Sequence, residues 1–224
     1  MEEQKLISAV CSVLPGATLE ATTLPDYPLL QLLLLSRKFP QHTLSSQQIA
    51  RLMEEPLYWV FCWASGQIMA RFIRDEPNWV KGKRVLDFGS GSGVVAIAAA
   101  QAGASEVVAC DTDALALMAA QYNAGLNKVK LTLVADFFEV DGDIDLIVAA
   151  DVLYDRENLI WLERFNQRAD RVLVADSRIK DFDYPPYREI ARHDSCTLPD
   201  MDESSEFRDV RIYCSGRVPL PNDS

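Results

Sequence analysis

The sequence predicts an α/β fold with a mostly parallel sheet, and three observations carry that expectation. Apolar runs of strand length occur at 84–88, 106–110, 130–135, 144–150 and 171–176, and most are separated by helix-length stretches, the alternation that builds parallel sheets. The first run passes directly into Gly89-Ser90-Gly91-Ser92-Gly93 and then into an apolar helical stretch from Val94. The first four runs each end in a carboxylate: Asp87, Asp111, Asp136 and Asp151. Four buried strands that deliver four acids to one edge of a sheet build a ligand-binding edge.

The totals bound what that ligand can be. At 224 residues the chain suits one α/β domain with a full core and a small appendage. A net charge of −11 speaks against nucleic acid, whose phosphates are neutralised by Lys and Arg, and against anionic membranes. Cysteines 11, 62, 110, 196 and 214 follow no CxxC spacing, and His42 and His193 are the two histidines. The pattern reads as reduced intracellular thiols with no metal site. The start lacks the basic and apolar regions of a signal peptide and the Arg-rich character of a transit peptide. The run LLQLLLL at 29–35 is short of the roughly 20 residues that span a bilayer. A soluble cytoplasmic protein is the expectation.

Taken in order, residues 1–55 are expected to form a helical N-terminal extension. Pro15, Pro25, Pro28 and Pro40 punctuate it, and a helix at 45–54 is capped by Ser45 or Ser46 with Ile49, Leu52 and Met53 on one stripe. Residues 56–218 form the main domain and 219–224 a loose tail. In the stretch PLYWVFCWASGQIMARFIRDEP, a small-residue turn, Ala64-Ser65-Gly66, precedes a helix that Pro77 stops. Trp59 and Trp63 are read either as core anchors or, for Trp63 and the turn, as a cover over a ligand at the sheet edge.

Strand 84–88 leads through the glycine loop to helix 94–102, and strand 106–110 to Asp111, with Asp113 capping a helix that runs to about Leu126. Glycine lets the backbone approach a ligand closely, and the helix start behind it supplies donors and a positive dipole end. A carboxylate after the second strand is the usual acceptor for ribose hydroxyls. About nine residues separate the third and fourth strands. A diagonal of ~22 Å against an extended reach of ~30 Å permits a helix-free link. Asp155 caps a helix at 156–168, and strand 171–176 follows. A strand near 190–197 and another carrying Val210, Ile212 and Cys214 on one face then suggest an antiparallel end to the sheet.

Gly91-Ser92-Gly93-Val94-Val95-Ala96 also satisfies a GxGxxA dinucleotide fingerprint, but a pyrophosphate on that loop has no use for Asp87. A cofactor that presents a cation there explains the acid, and S-adenosyl-L-methionine carries both an ammonium and a sulfonium.

The segments WVFCWASGQ, KGKRVLDFGSGSGVVAIAAAQAGAS, ACDTD, NAGLN and AADVLYD resemble class I, seven-β-strand S-adenosylmethionine-dependent methyltransferases. The resemblance is closest to the protein-lysine methyltransferases of the electron-transfer flavoprotein β-subunit and spans about Pro56 to Cys214. It implies a Rossmann-like, doubly wound sheet of order 3-2-1-4-5-7-6 with strand 7 antiparallel. It further implies a cofactor site at Trp63, Gly66, Asp87, Gly89, Ser90, Gly91, Gly93, Asp111, Thr112, Asp136, Phe137 and Asp151. Within it Asp111 holds the ribose, Asp136 with Phe137 faces the adenine, and Asp151 with Tyr154 stands at the methyl acceptor. The activity implied is N-methylation of lysine in a protein, either one like the flavoprotein β-subunit or another. The alternatives are a small-molecule amine methyltransferase and a catalytically silent cofactor- or partner-binding domain. Two segments depart from the family's pattern: Ala64-Ser65-Gly66, where it commonly has proline-glycine-glycine, and ADSRIK after the fifth strand of the sheet.

Overall fold

The computed structural model describes residues 2–39, 54, 56–200, 204–216 and 218. The helix expected at 45–54 and the tail from Pro219 lie, but for residue 54, outside the described residues.

The N-terminal segment differs from its expectation. It contains one helix, α1 (Glu2–Val13), followed by an antiparallel hairpin of β1 (Leu19–Leu24) and β2 (Tyr27–Leu35), rather than a series of short helices. The leucine run of β2 has no polar face and so no helical period to read. In the strand its side chains alternate. Leu30, Leu32 and Leu34 enter the core shared with the sheet, while Leu33 and Leu35 pack with Leu6, Val10 and Val13 of α1. The backbone of β2 is also stitched to the main domain. Asn123 Oδ1 accepts from the Leu33 N–H at 2.8 Å, and Asn127 Oδ1 accepts from the Gln31 N–H at 3.0 Å. Two asparagines one helical turn apart thus satisfy donors on the strand's open edge, which would otherwise be left unpaired.

The main sheet follows the expected alternation. After α2 (Ala64–Asp75) come β3 (Arg84–Phe88), α3 (Val94–Gln101), β4 (Glu106–Cys110), α4 (Ala114–Leu126), β5 (Thr132–Val134), β6 (Leu146–Ala150), α5 (Ile160–Arg168), β7 (Val172–Asp176), β8 (Arg188–Asp194) and β9 (Asp209–Ser215). Strand order is β5-β4-β3-β6-β7-β9-β8, with β9 antiparallel to both neighbours and β3 to β7 parallel. This is the order and the antiparallel strand that the resemblance implies. The link from β5 to β6 holds a single 3-10 turn, Phe137–Glu139, and no helix.

Both faces of the sheet are covered, as parallel sheets require. Val85, Val107, Val148 and Leu173 face α2, α3 and the hairpin. Leu86, Val108, Ile147 and Val174 face Phe137, Leu162 and Phe165. The sites of ligand chemistry therefore lie at the carboxyl ends of the strands, where the chain leaves the sheet.

One local expectation is corrected there. Residues 64–66 are the first turn of α2 and not a turn before it. Trp63, at the N-cap, makes no side-chain capping bond, but the carboxylate of Asp151 accepts from the Ser65 N–H at 2.9 Å. The cap comes from a residue distant in sequence, so the helix starts earlier than local composition indicates.

Candidate active site

A cleft of about 1420 Å³ opens at the carboxyl ends of β3, β4, β5 and β6. Of the residues implied for the site, Trp63, Gly89, Gly91, Asp111, Thr112, Asp136, Phe137, Asp151 and Tyr154 line it. Gly66, Asp87, Ser90 and Gly93 are not among its lining residues. They support the wall from behind, each for a physical reason.

Asp87 is 2% exposed, and its Oδ2 accepts from the Ser90 hydroxyl at 2.9 Å and the Ala96 N–H at 3.0 Å. Gly93, the N-cap of α3, carries no capping side chain, so the strand-end acid supplies a cap at the third helical position. Burial pushes Asp87 up to about 7 against these two hydrogen bonds. The glycines divide the remaining work. A Cβ on Gly93 would come within 3.0 Å of Ala120, on Gly66 within 3.0 Å of Val94, and on Gly89 within 2.8 Å of Val152. Gly93 and Gly66 let helices pack, and Gly89 lets the segment after β6 cross the loop. Gly91 has φ +52°, and the nearest atom to its missing Cβ is 3.9 Å away, which leaves room for a ligand against the backbone.

Asp111 fastens this loop to β4. Its Oδ2 accepts from the Gly91 N–H at 2.8 Å and its Oδ1 from the Asp113 N–H at 3.0 Å. Each oxygen keeps a second acceptor position. Burial raises its pKa, and the two N–H donors hold it down. Asp136 caps the 3-10 turn through the Phe138 N–H at 2.9 Å. Beside it Phe137 packs edge-on against Phe88 and Trp161, forming an apolar wall suited to a flat base.

The opposite end is aromatic. Trp63 is fixed by its indole N–H, which donates to the Tyr58 carbonyl at 3.0 Å. The rings of Trp63 and Tyr154 lie 6.0 and 5.9 Å from that of Tyr58. The two tryptophans divide: Trp59 is a fully buried core anchor and Trp63 a cleft residue. Asp151 stands at this end in a left-handed conformation, φ +56°. Its Oδ2 takes the Ser65 N–H and its Oδ1 the Ser65 hydroxyl at 2.6 Å. Burial pushes it up to about 7, with the Ser65 hydroxyl opposing and the charge of Asp176 adding.

Several lining residues escaped the sequence reading. Tyr58, Phe88, Phe138 and Trp161 sit in apolar or mixed stretches where nothing distinguishes a wall from a core. Ala9, Ser12 and Val13 come from α1, whose proximity is a tertiary fact. Arg178, its guanidinium 5.9 Å over the Trp63 ring, is the cation among the described lining residues, against five carboxylates. Together the walls offer a diol acceptor, a flat apolar slot and an acidic, aromatic mouth.

A protein-family model described as ribosomal protein L11 methyltransferase (PrmA) matches residues 75–160. The human electron transfer flavoprotein beta subunit lysine methyltransferase is 40% identical over 128 residues, 53% of this chain and 48% of that protein. Its Danio rerio counterpart is 38% identical over 161 residues, 67% of this chain and 62% of that protein. The chain thus spans about half the length of the curated relatives it matches. Among solved structures, the T. thermophilus 16S rRNA N2 G1207 methyltransferase, in complex with AdoMet and guanosine, has a TM-score of 0.56 at 12% identity, covering 92% of this chain and 52% of that one. That likeness is one of fold. In sequence around the glycine loop and in fold over most of its length, the chain is similar to class I S-adenosylmethionine-dependent methyltransferases, the electron transfer flavoprotein beta subunit lysine methyltransferases among them.

Proposed function

We propose that the protein is an S-adenosylmethionine-dependent methyltransferase that N-methylates lysine side chains of a protein substrate. The observation that carries the reading is one cleft joining Asp111 and the open face of Gly91 to an aromatic mouth at Asp151. The names of its relatives, lysine and ribosomal-protein methyltransferases, support a protein acceptor. The flavoprotein β-subunit is the first candidate. Five free thiols agree with a cytoplasmic setting.

The residues fit the cofactor. The free acceptor positions of Asp111 suit the two ribose hydroxyls, the Phe137 wall suits the adenine, and the surplus of carboxylates suits a molecule with two cationic centres. When bound, S-adenosylmethionine supplies a methyl group on a sulfonium, already activated for displacement. The protein's part is to align an amine and present it neutral. A lysine at pH 7 lies about 3.4 units below its ordinary pKa, so the neutral form costs roughly 4.6 kcal/mol. Tyr58, Trp63 and Tyr154 desolvate the amine and lower that pKa, while an ionised Asp151 raises it. Because burial pushes Asp151 up to about 7, both forms are present near neutrality: the ionised carboxylate accepts the amine N–H, and its charge opposes the neutral amine less than that of a fully ionised acid. Asp151 acts as an orienting acceptor for the amine N–H, and alignment itself is worth several kcal/mol.

Incubating the purified protein with methyl-labelled cofactor and a cell lysate tests this. A labelled protein band that resists strong acid, is lost to protease and yields methyl-lysine on hydrolysis is the expected result. Label confined to small molecules would exclude a protein acceptor. S-adenosylhomocysteine binding with no label in any fraction would mark a silent binding domain.

A further inference from the structure

The two segments that depart from the pattern of the family the chain resembles meet in space. Ser65, from the first, gives both its N–H and its hydroxyl to Asp151. The second begins at the end of β7, where the Ala175 carbonyl accepts from the Asp151 N–H at 3.1 Å. Asp151 is therefore held at three points, in a left-handed backbone conformation that residues with a side chain rarely adopt. Ser65 is fully buried, so its hydroxyl has no role at the surface.

We propose that Ser65 is a positioning residue for the acceptor end of the cleft, fixing the Asp151 carboxylate in one orientation toward the incoming amine. This rests on the methyltransferase reading above. The groups facing Asp151 give the proposal a measurable consequence. From α2 comes Ser65, and just before it the buried thiol of Cys62, which burial keeps protonated. From the end of β7 comes Asp176, 1% exposed, whose Oδ1 accepts from the Arg178 and Ile179 N–H groups at 2.8 and 2.7 Å. Its Oδ2 has no partner among the described residues. Arg178 contributes the positive charge. Burial and Asp176 favour protonated Asp151, whereas Ser65 and Arg178 favour the ionised form. Removing the hydroxyl leaves burial and Asp176 less opposed, so Asp151 should hold its proton to higher pH.

The test is a carbon-13 carboxyl titration of the full chain, with the Asp151 resonance identified by its absence in Asp151→Asn. In Ser65→Ala the midpoint should rise by about one pH unit, a tenfold change in the ionisation constant. Protonated Asp151 is the weaker acceptor for the amine N–H, so the acid limb of lysate-protein methylation should move to higher pH with it, while S-adenosylhomocysteine affinity stays within about twofold. Ser65→Gly removes the same hydroxyl and repeats the measurement should alanine disturb the fold. A midpoint unchanged in a folded variant would overturn the positioning role. Since the titration needs no turnover, a wild type that methylates no protein would defeat the proposed function without touching this result.

Discussion

Replacing Asp111 by alanine separates the ligand role of that carboxylate from its role in the loop. The side chain joins the Gly91 and Asp113 N–H groups, and both donors lie at a cleft wall where water can replace it. The loss of fold stability is therefore modest. The ligand loses more. Two hydroxyl bonds to a charged acceptor are worth about 1.5–3 kcal/mol each, together about 3–6 kcal/mol, a weakening on the order of 10²–10⁴-fold. Asp111→Asn keeps one oxygen acceptor in place of two and should fall between wild type and alanine. Isothermal calorimetry with S-adenosylhomocysteine, with circular dichroism as the fold control, measures both. A dissociation constant within about threefold of wild type in folded Asp111→Ala would remove the ribose assignment.

Other consequences are as direct. Tyr154 is 59% exposed and packs on Tyr58, so Tyr154→Ala should leave S-adenosylhomocysteine affinity near wild type and lower kcat about tenfold or more; steady-state kinetics showing an unchanged kcat would take Tyr154 out of the acceptor channel. Asn123→Ala strands the Leu33 N–H and the Ser92 carbonyl, which Asn123 now satisfies, at about 1–3 kcal/mol for each; a Tm lowered by less than about 3 °C would deny the hairpin its anchoring role. Asp87 has a folded pKa raised from 3.8 to about 7. The native state therefore holds a proton that the unfolded state has released, and stability present below pH 4 is lost as pH rises toward 7. Wild-type chemical stability should fall between pH 5 and 8 by more than that of Asp87→Asn, and parallel profiles would contradict the assigned cause.

The order of the elements was legible because short apolar runs, each followed by a turn-forming or acidic residue, leave few alternatives in this part of the chain. Asp113 and Asp155 were legible as caps because each bonds a backbone N–H two residues ahead, a purely local interaction. The hairpin at 19–35 was not legible. A run of leucines specifies burial without specifying a period, and only the neighbours on both sides of β2 make it a strand. The start of α2 escaped for a related reason, since its cap, Asp151, lies 86 residues away.

The four strand-end acids divide along the same line. The sequence alone determined that Asp87, Asp111, Asp136 and Asp151 leave the sheet at one edge, because parallel strands share a direction and each acid ends an apolar run. Only the tertiary structure decided what each does there. Asp87 turns back beneath the loop to cap α3, Asp111 clasps Gly91 with acceptor positions to spare, Asp136 caps its own turn, and Asp151 closes on Ser65. The reason is that strand direction is a property of backbone pattern, whereas a carboxylate's partner is whichever donor the packing of separate segments brings within about 3 Å.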